Sequence, residues 1–314
     1  MVRRWILLVL CFGLGTAVAC SESGDDDDDD DTYDDDSWND DDDSGDDDAA
    51  TDGLFAGFRA SPYGVIPFPE PDYWSYVGQE MAGKFAGAAP AGLWIVGEAG
   101  EDGECLLNFP SPGGAFSKVV FHNTDDNAGA LDWFDTNGLS VWLQVEPGDA
   151  DVSTLIELVL DRYGDHASVI GVGVDVEWFR WLANTDGKAV SDEEAQAWSE
   201  KARSYDSQYT VFLKHWLTGK MPPSYREGLV FVDDSQDFDS LSSLVAEFAD
   251  WGDWFAPSPV MFQFGYEADR AWWSDLTDPP DEIGHAILNA VANTRGLFWV
   301  DFTIEEVFPP AKRW

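Results

Sequence analysis

Val169-Ile-Gly-Val-Gly-Val-Asp-Val-Glu-Trp178 is the stretch on which the fold turns. Side chains alternate across a strand with period two. Gly171, Gly173, Asp175 and Glu177 therefore share one face, and Ile170, Val172, Val174, Val176 and Trp178 share the other. The second face is wholly apolar and suits packing against helices. The first runs from two residues without side chains to two acids, as expected of a strand whose inner face opens into a polar pocket.

Working outward, short apolar runs recur at Leu93-Val96, Val119-His122, Val141-Val145, Val211-Trp216, Leu229-Val232, Val260-Phe264 and Leu297-Phe302, which with Ile170-Glu177 makes eight. A ninth, Leu54-Arg59, competes to be the first strand at the expense of one later run. Amphipathic segments of helical length separate several of them. Ser191-Asp-Glu-Glu194 reads as a capping box opening a helix through Ser204. Val152 to Tyr163 ends at Gly164, a natural helix stop. Further helices are expected near Tyr73 to Phe85 and from Asp281 to Arg295. Residues 53–314, without internal repeat, match the size of one (β/α)₈ TIM barrel.

Ahead of that barrel the composition changes. Arg3-Arg4, the apolar run from Trp5 to Leu10 and the small residues before Cys20 have the order of a secretory signal over residues 1–20. Ending on cysteine resembles a bacterial lipoprotein box, with Ala17 where leucine is usual, and implies lipidation of Cys20. Nineteen of the 61 acids lie between Ser21 and Asp52 with no Lys or Arg, so residues 21–52 are expected to be a disordered, self-repelling tether. Acidic stretches behind such a cysteine resemble surface-export signals, which implies an outer-membrane or cell-surface lipoprotein whose membrane contact is the lipid alone. Only Arg3 and Arg4 of the 17 bases precede residue 53, which leaves residues 53–314 near −27. That argues against nucleic acid as a partner, since phosphate binding needs a basic footprint. Cys11 and Cys20 fall in the signal, so Cys105 is left without an intrachain disulfide partner.

Active sites of such barrels gather at the C-terminal ends of the strands. Standing there are Gln144 and Glu146, Asp175 and Glu177, Lys214, His215 and Trp216, Asp233 and Asp234, Gln263 with Tyr266, and Trp299 with Asp301. Acids, amides and aromatic groups converging on one rim suit an oligosaccharide or polysaccharide. Two carboxyls on alternate residues of one strand lie about 6.5–7 Å apart at Cα, and like charges with partial burial raise one pKa, as a glycosidase acid requires. Glu177 is the expected acid and Asp175 its orienting partner. Asp234, Glu146 and Asp301 are candidates for a base or nucleophile. Among sixteen tryptophans, Trp142, Trp178 and Trp198 suit strand-helix packing, and Trp299 is the best placed for a sugar, followed by Trp216, Trp272 and Trp273 near strand ends.

The strand resembles the signature of glycoside hydrolase family 18, D-G-x-D-x-D-x-E. Glu177 stands at the acid, Asp175 at the last Asp and Gly171 at the glycine, while Ile170 and Gly173 replace the first two aspartates. Gly296-Leu-Phe-Trp-Val300 is similar to the last strand that brings a floor tryptophan to that family's sugar, and Asp234 stands near its acid after strand six. The resemblance implies hydrolysis of a 2-acetamido sugar polymer, chitin-like or peptidoglycan-like, with the acetamido group as nucleophile. Family 25 lysozymes also place a D-x-E on a strand. The runner-up is a barrel that binds polysaccharide without cleaving it, and a purely structural surface protein is third. His122, His166, His215 and His285 lack metal-ligand spacing and no phosphate-binding glycine loop is present, so neither metal nor cofactor is expected. The protein is expected to be a monomer.

Overall fold

The computed structural model describes residues 53–310. The signal, Cys11, the proposed lipid site Cys20 and the acidic segment to Asp52 lie outside the described residues. Ten strands form one sheet. Eight of them, β1 (Phe55–Ala60), β2 (Ala89–Ala99), β5 (Ser140–Val145), β6 (Val169–Asp175), β7 (Thr210–Lys214), β8 (Leu229–Asp233), β9 (Val260–Phe264) and β10 (Thr294–Val300), run parallel, and β1 pairs with both β2 and β10 to close a barrel. The remaining two, β3 (Cys105–Leu107) and β4 (Val119–Phe121), extend β2 as a side ribbon, antiparallel and then parallel. The competition among nine runs is thus decided. Leu54-Arg59 contains the first barrel strand, and Val119-His122 lies off the barrel on an edge, where its side chains are half-buried or exposed.

Helices α1 (Pro71–Ala82), α2 (Ala128–Asn137), α3 (Val152–Tyr163), α4 (Asp192–Arg203), α5 (Leu241–Phe255) and α7 (Pro279–Ala290) cover the outside, with single-turn helices α6 (Arg270–Trp273) and α8 (Ile304–Val307) near the last two strands. The expected capping box forms: Ser191 Oγ accepts from the Glu194 amide, and the Glu194 carboxylate accepts from the Ser191 amide. Gly164 ends α3 as expected, but with right-handed backbone, so the stop does not depend on a left-handed glycine. Helix α7 ends at Ala290, five residues short of the expected Arg295. Residues from Thr294 onward pair with β9 instead.

Apolar side chains fill two compartments. One lies between the strands and the helices, where residues such as Phe58, Trp74, Val77, Leu143 and Val174 are buried. Each large side chain there contributes about 1.5–3 kcal/mol by leaving water. The second is a plug inside the barrel, made of Ala91, Leu93, Trp142, Phe212, Val230, Val232, Met261 and Phe298. Trp142 is therefore an interior residue and not the strand-helix packer expected of it. Its indole donates to Thr210 Oγ1 at 2.8 Å. Trp198 does pack in the outer compartment, edge-on to Phe179.

The register of β6 explains its two glycines. The partners step from Val141 with Val169 to Trp142 with Gly171, so Ile170 is an extra residue. It packs against the interior plug, although strict alternation puts it outside. Beyond this bulge, Val172, Val174 and Val176 face the helices while Gly171, Gly173 and Asp175 face the axis. A Cβ at Gly171 would come within 2.1 Å of the Thr210 carbonyl oxygen, and one at Gly173 within 2.0 Å of the Phe212 ring. Both glycines make room for side chains and backbone from β7 and β5.

Candidate active site

A dry plug leaves the upper layer of the barrel to polar groups. Strand alternation carries Arg59, Gln144, Asp175, Lys214 and Gln263 to the axis just above the apolar residues, each of them buried. Asp234 follows β8 and Glu146 follows β5, also buried. The chain leaves β6 at Asp175, where Val176–Trp178 form a single 3₁₀ turn closed by the Phe179 amide on the Val176 carbonyl at 3.0 Å. Glu177 therefore stands on that turn, half-buried at the rim, and not on the strand as expected.

Lys214 organises the acids. Its ammonium lies 2.9 Å from Asp175 Oδ2 and also bonds Asp234 Oδ2. Gln144 Nε2 donates to the same Asp175 oxygen at 3.3 Å. A second chain of bonds crosses the seam between first and last strands. Asp301 accepts from Arg59 at 2.7 Å and from both the amide and the hydroxyl of Ser61 at 2.5 and 2.6 Å. Arg59 donates onward to the Tyr63 hydroxyl at 2.6 Å, and Tyr63 donates to Glu146 at 2.5 Å. The other Glu146 oxygen accepts from the Ala99 amide at 2.9 Å. Tyr63 and Phe302 stack with centroids 6.2 Å apart, and the Arg59 guanidinium lies 5.1 and 5.0 Å from their rings.

Burial opposes charge on each of these carboxyls, and crowding adds to it. The Glu177 carboxyl is pushed up to about 8, first by burial and then by the charge of Asp175, with Lys214 pulling the other way. Asp175 is raised to about 7 by burial against the pull of Lys214. Glu146 is raised by burial, which its bond from Tyr63 opposes. Burial alone would lower the Lys214 ammonium, but Asp175 and Asp234 outweigh it and hold Lys214 well above the ordinary lysine value. The group is thus a fixed cation among acids, of which Glu177 keeps its proton at neutral pH and Asp175 titrates close to it.

Of the residues expected at the site, Gln144, Glu146, Asp175, Glu177, Asp234, Gln263 and Tyr266 do gather at the upper end of the barrel. Tyr266 donates to Gln263 at 3.2 Å. Trp216 is half-buried on the loop after β7, tilted against His215 with centroids 4.2 Å apart. Three expectations are corrected. Trp299 points outward, not to a sugar: it is fully buried against Phe264 and Trp273, and its indole donates to Thr303. Phe298 takes the inward position on β10. His215 is fully buried, with one ring nitrogen accepting from the Leu217 amide at 2.9 Å and the other facing the Asp186 carbonyl at 2.8 Å, so it ties loops together. Asp301 has both oxygens engaged by Arg59 and Ser61 and positions the arginine.

Arg59, Tyr63 and the bridging role of Lys214 were not singled out from sequence. Arg59 and Lys214 each carried one signal, a cation at an alternate, inward position of an apolar run. Tyr63 sits in a loop and carried none. Among the described residues one trio, Asp132, Asp135 and His166, brings possible metal-ligand atoms within 4.8 Å of one another. It lies at the opposite end of the barrel, before β6 begins, and His166 and the Ser168 amide already bond Asp135. A cleft of about 430 Å³ lined by Phe109, Asp125, Arg162 and Tyr163 also lies away from the charged mouth, and Asp125 there is saturated by Arg162, Tyr163 and two backbone amides. Cys105 is a buried free thiol that burial pushes up, which makes it a poor nucleophile.

No family model and no curated protein matches the chain. Solved structures similar to it include β-glucuronidases from an uncultured Clostridium sp. (TM-score 0.46, 10% identity, covering 79% of this chain and 43% of that one) and from Dictyoglomus thermophilum (0.46, 12%, 79% and 43%). A third is from Parabacteroides merdae (0.45, 10%, 79% and 31%). The chain spans less than half the length of each.

Proposed function

We propose that this barrel is a glycoside hydrolase acting on a polysaccharide, with Glu177 as general acid. The observation that supports this most is a single half-buried carboxyl, raised to about 8, standing on the rim above a buried layer of polar and ionisable groups. An acid that keeps its proton at neutral pH is what a glycosidic oxygen needs as it leaves. Asp175, held by Lys214, raises Glu177 and lies where positive charge develops on the sugar ring. Asp234, gripped by the same ammonium, is our candidate to activate water or attack the anomeric carbon. Glu146, Gln144, Gln263, Tyr266 and Trp216 line the approach.

Chitin-like and peptidoglycan-like polymers are the first substrates to test, on the resemblance of the D-x-E segment. The family 18 route needs a second aspartate beside the last one. Phe212 fills that volume above Gly173, which favours catalysis by the protein's own carboxylates over participation by an acetamido group. Glu177→Gln should cut turnover by about 10²–10⁴-fold while glycan binding and fold persist. Undiminished release of reducing ends by that variant would sink the assignment.

The alternative, a barrel that binds glycan without cleaving it, is favoured by Lys214, which engages two of the acids. Binding with no new reducing ends across a panel of polymers would decide for it. We also propose that residues 1–20 direct export and that Cys20 carries lipid at the bacterial surface. Labelling with a fatty-acid analogue in a Gram-negative host should be lost in Cys20→Ala.

A further inference from the structure

Three buried oxygens in the upper layer have no hydrogen-bond partner: Gln144 Oε1, Asp175 Oδ1 and Asp234 Oδ1. Their residues are 0%, 1% and 5% exposed. They form one cluster, because Asp175 and Asp234 grip the same ammonium through their other oxygens and the Gln144 amide leans on Asp175. On the donor side, this layer leaves Gln263 Nε2 unpartnered. The surplus is of acceptors. A sugar hydroxyl both donates and accepts, whereas an ammonium offers three donors and no acceptor.

The charges agree with the hydrogen bonds. Around the axis at the mouth, the carboxyl groups of Glu146, Asp175, Glu177, Asp234 and Asp301 stand with the cations of Arg59 and Lys214. Both cations are engaged, Arg59 with Asp301 and Lys214 with Asp175 and Asp234. An anionic sugar would meet acids whose cations are already committed. An N-acetylated sugar would offer these three acceptors one N–H donor and add a carbonyl acceptor of its own, where an ammonium offers three donors. A protonated amine meets neither obstacle, and it relieves the repulsion among acids that burial strengthens.

We propose that the barrel mouth takes a cationic amino sugar, with the ammonium of a 2-amino-2-deoxyhexose held by Gln144, Asp175 and Asp234. This rests on the hydrolase reading only for the ligand being a sugar. Tests use the full chain carrying Glu177→Gln, so that turnover does not consume the ligand, and calorimetric titration at physiological salt with three probes. These are five-sugar oligomers of glucosamine, of N-acetylglucosamine and of galacturonic acid. Glucosamine should bind about tenfold more tightly than its acetylated form, and galacturonate should not bind.

The acidic segment before residue 53 also attracts cations, so two added substitutions separate its pull from the site's. Asp234→Asn should lower glucosamine affinity about tenfold. Gln144→Leu removes one acceptor, leaves the Lys214 pairs in place and should lower it about fivefold. Both should lower binding of N-acetylglucosamine less than they lower binding of glucosamine. Equal or tighter binding of the acetylated or acidic oligomer, no binding of any probe, or a preference that survives both substitutions would overturn the proposal. Failure of the unsubstituted protein to cleave any polymer would instead sink the hydrolase reading and leave this binding result standing.

Discussion

Glu177 keeps its proton because burial and Asp175 both oppose its charge, and this single shift sets two pH dependences. Cleavage that needs the protonated acid should fall as pH rises through about 8, as read from the alkaline limb of a kcat/KM profile. Stability should move the same way. The unfolded chain holds this carboxyl near 4.5, so between that value and about 8 the folded protein binds the extra proton and loses stability as pH rises. Glu177→Gln should therefore match the parent below about pH 4.5 and exceed it by roughly 1–3 kcal/mol above pH 8. Lys214 has the opposite role. Lys214→Met leaves Asp175 and Asp234 buried without their cation, which should cost about 3–5 kcal/mol at neutral pH. Urea unfolding should show that loss shrinking as pH falls through about 7, where Asp175 takes a proton instead.

At the scale of elements, β6 and β7 are matched by volume. Gly173 lies beneath the Phe212 ring, so writing the family 18 aspartate back into β6 should fail by itself. Gly173→Asp overpacks the interior and buries a charge, and should destabilise by about 3 kcal/mol or more. Combined with Phe212→Ala, it should lose less than the two single substitutions added together, because the second opens the space that the first needs. Thermal midpoints of the four proteins in this cycle provide the check. The same strand shows where reading by period two stops. Alternation gave the facing of Gly173 and Asp175, since both follow the bulge in regular register. It misplaced Ile170, because the bulge depends on how β5 pairs, and it carried the strand through Glu177, because the 3₁₀ turn is set by loop contacts.

Taken whole, the barrel closes between β1 and β10, and every strand that closes it lies within Phe55–Val300. A chain beginning at Gly53 should therefore unfold cooperatively, with a midpoint within about 2 °C of the full-length protein. A larger drop would mean that the acidic segment contributes to the fold.

The sequence by itself determined the barrel, seven of the eight strands that compose it and the identity of most acids at its mouth, because hydrophobic period and strand-end position are local properties written along the chain. The order of the first strands needed the tertiary structure. Leu54-Arg59 and Val119-His122 read alike as apolar runs, and only pairing with β2 and β10 distinguishes a barrel strand from an edge. The same holds for Lys214, Arg59 and Tyr63. The charge state of an acid is fixed by neighbours from other strands, so the D-x-E segment that first drew attention gave the position of Glu177. Burial, Asp175 and the bridging lysine gave it its proton.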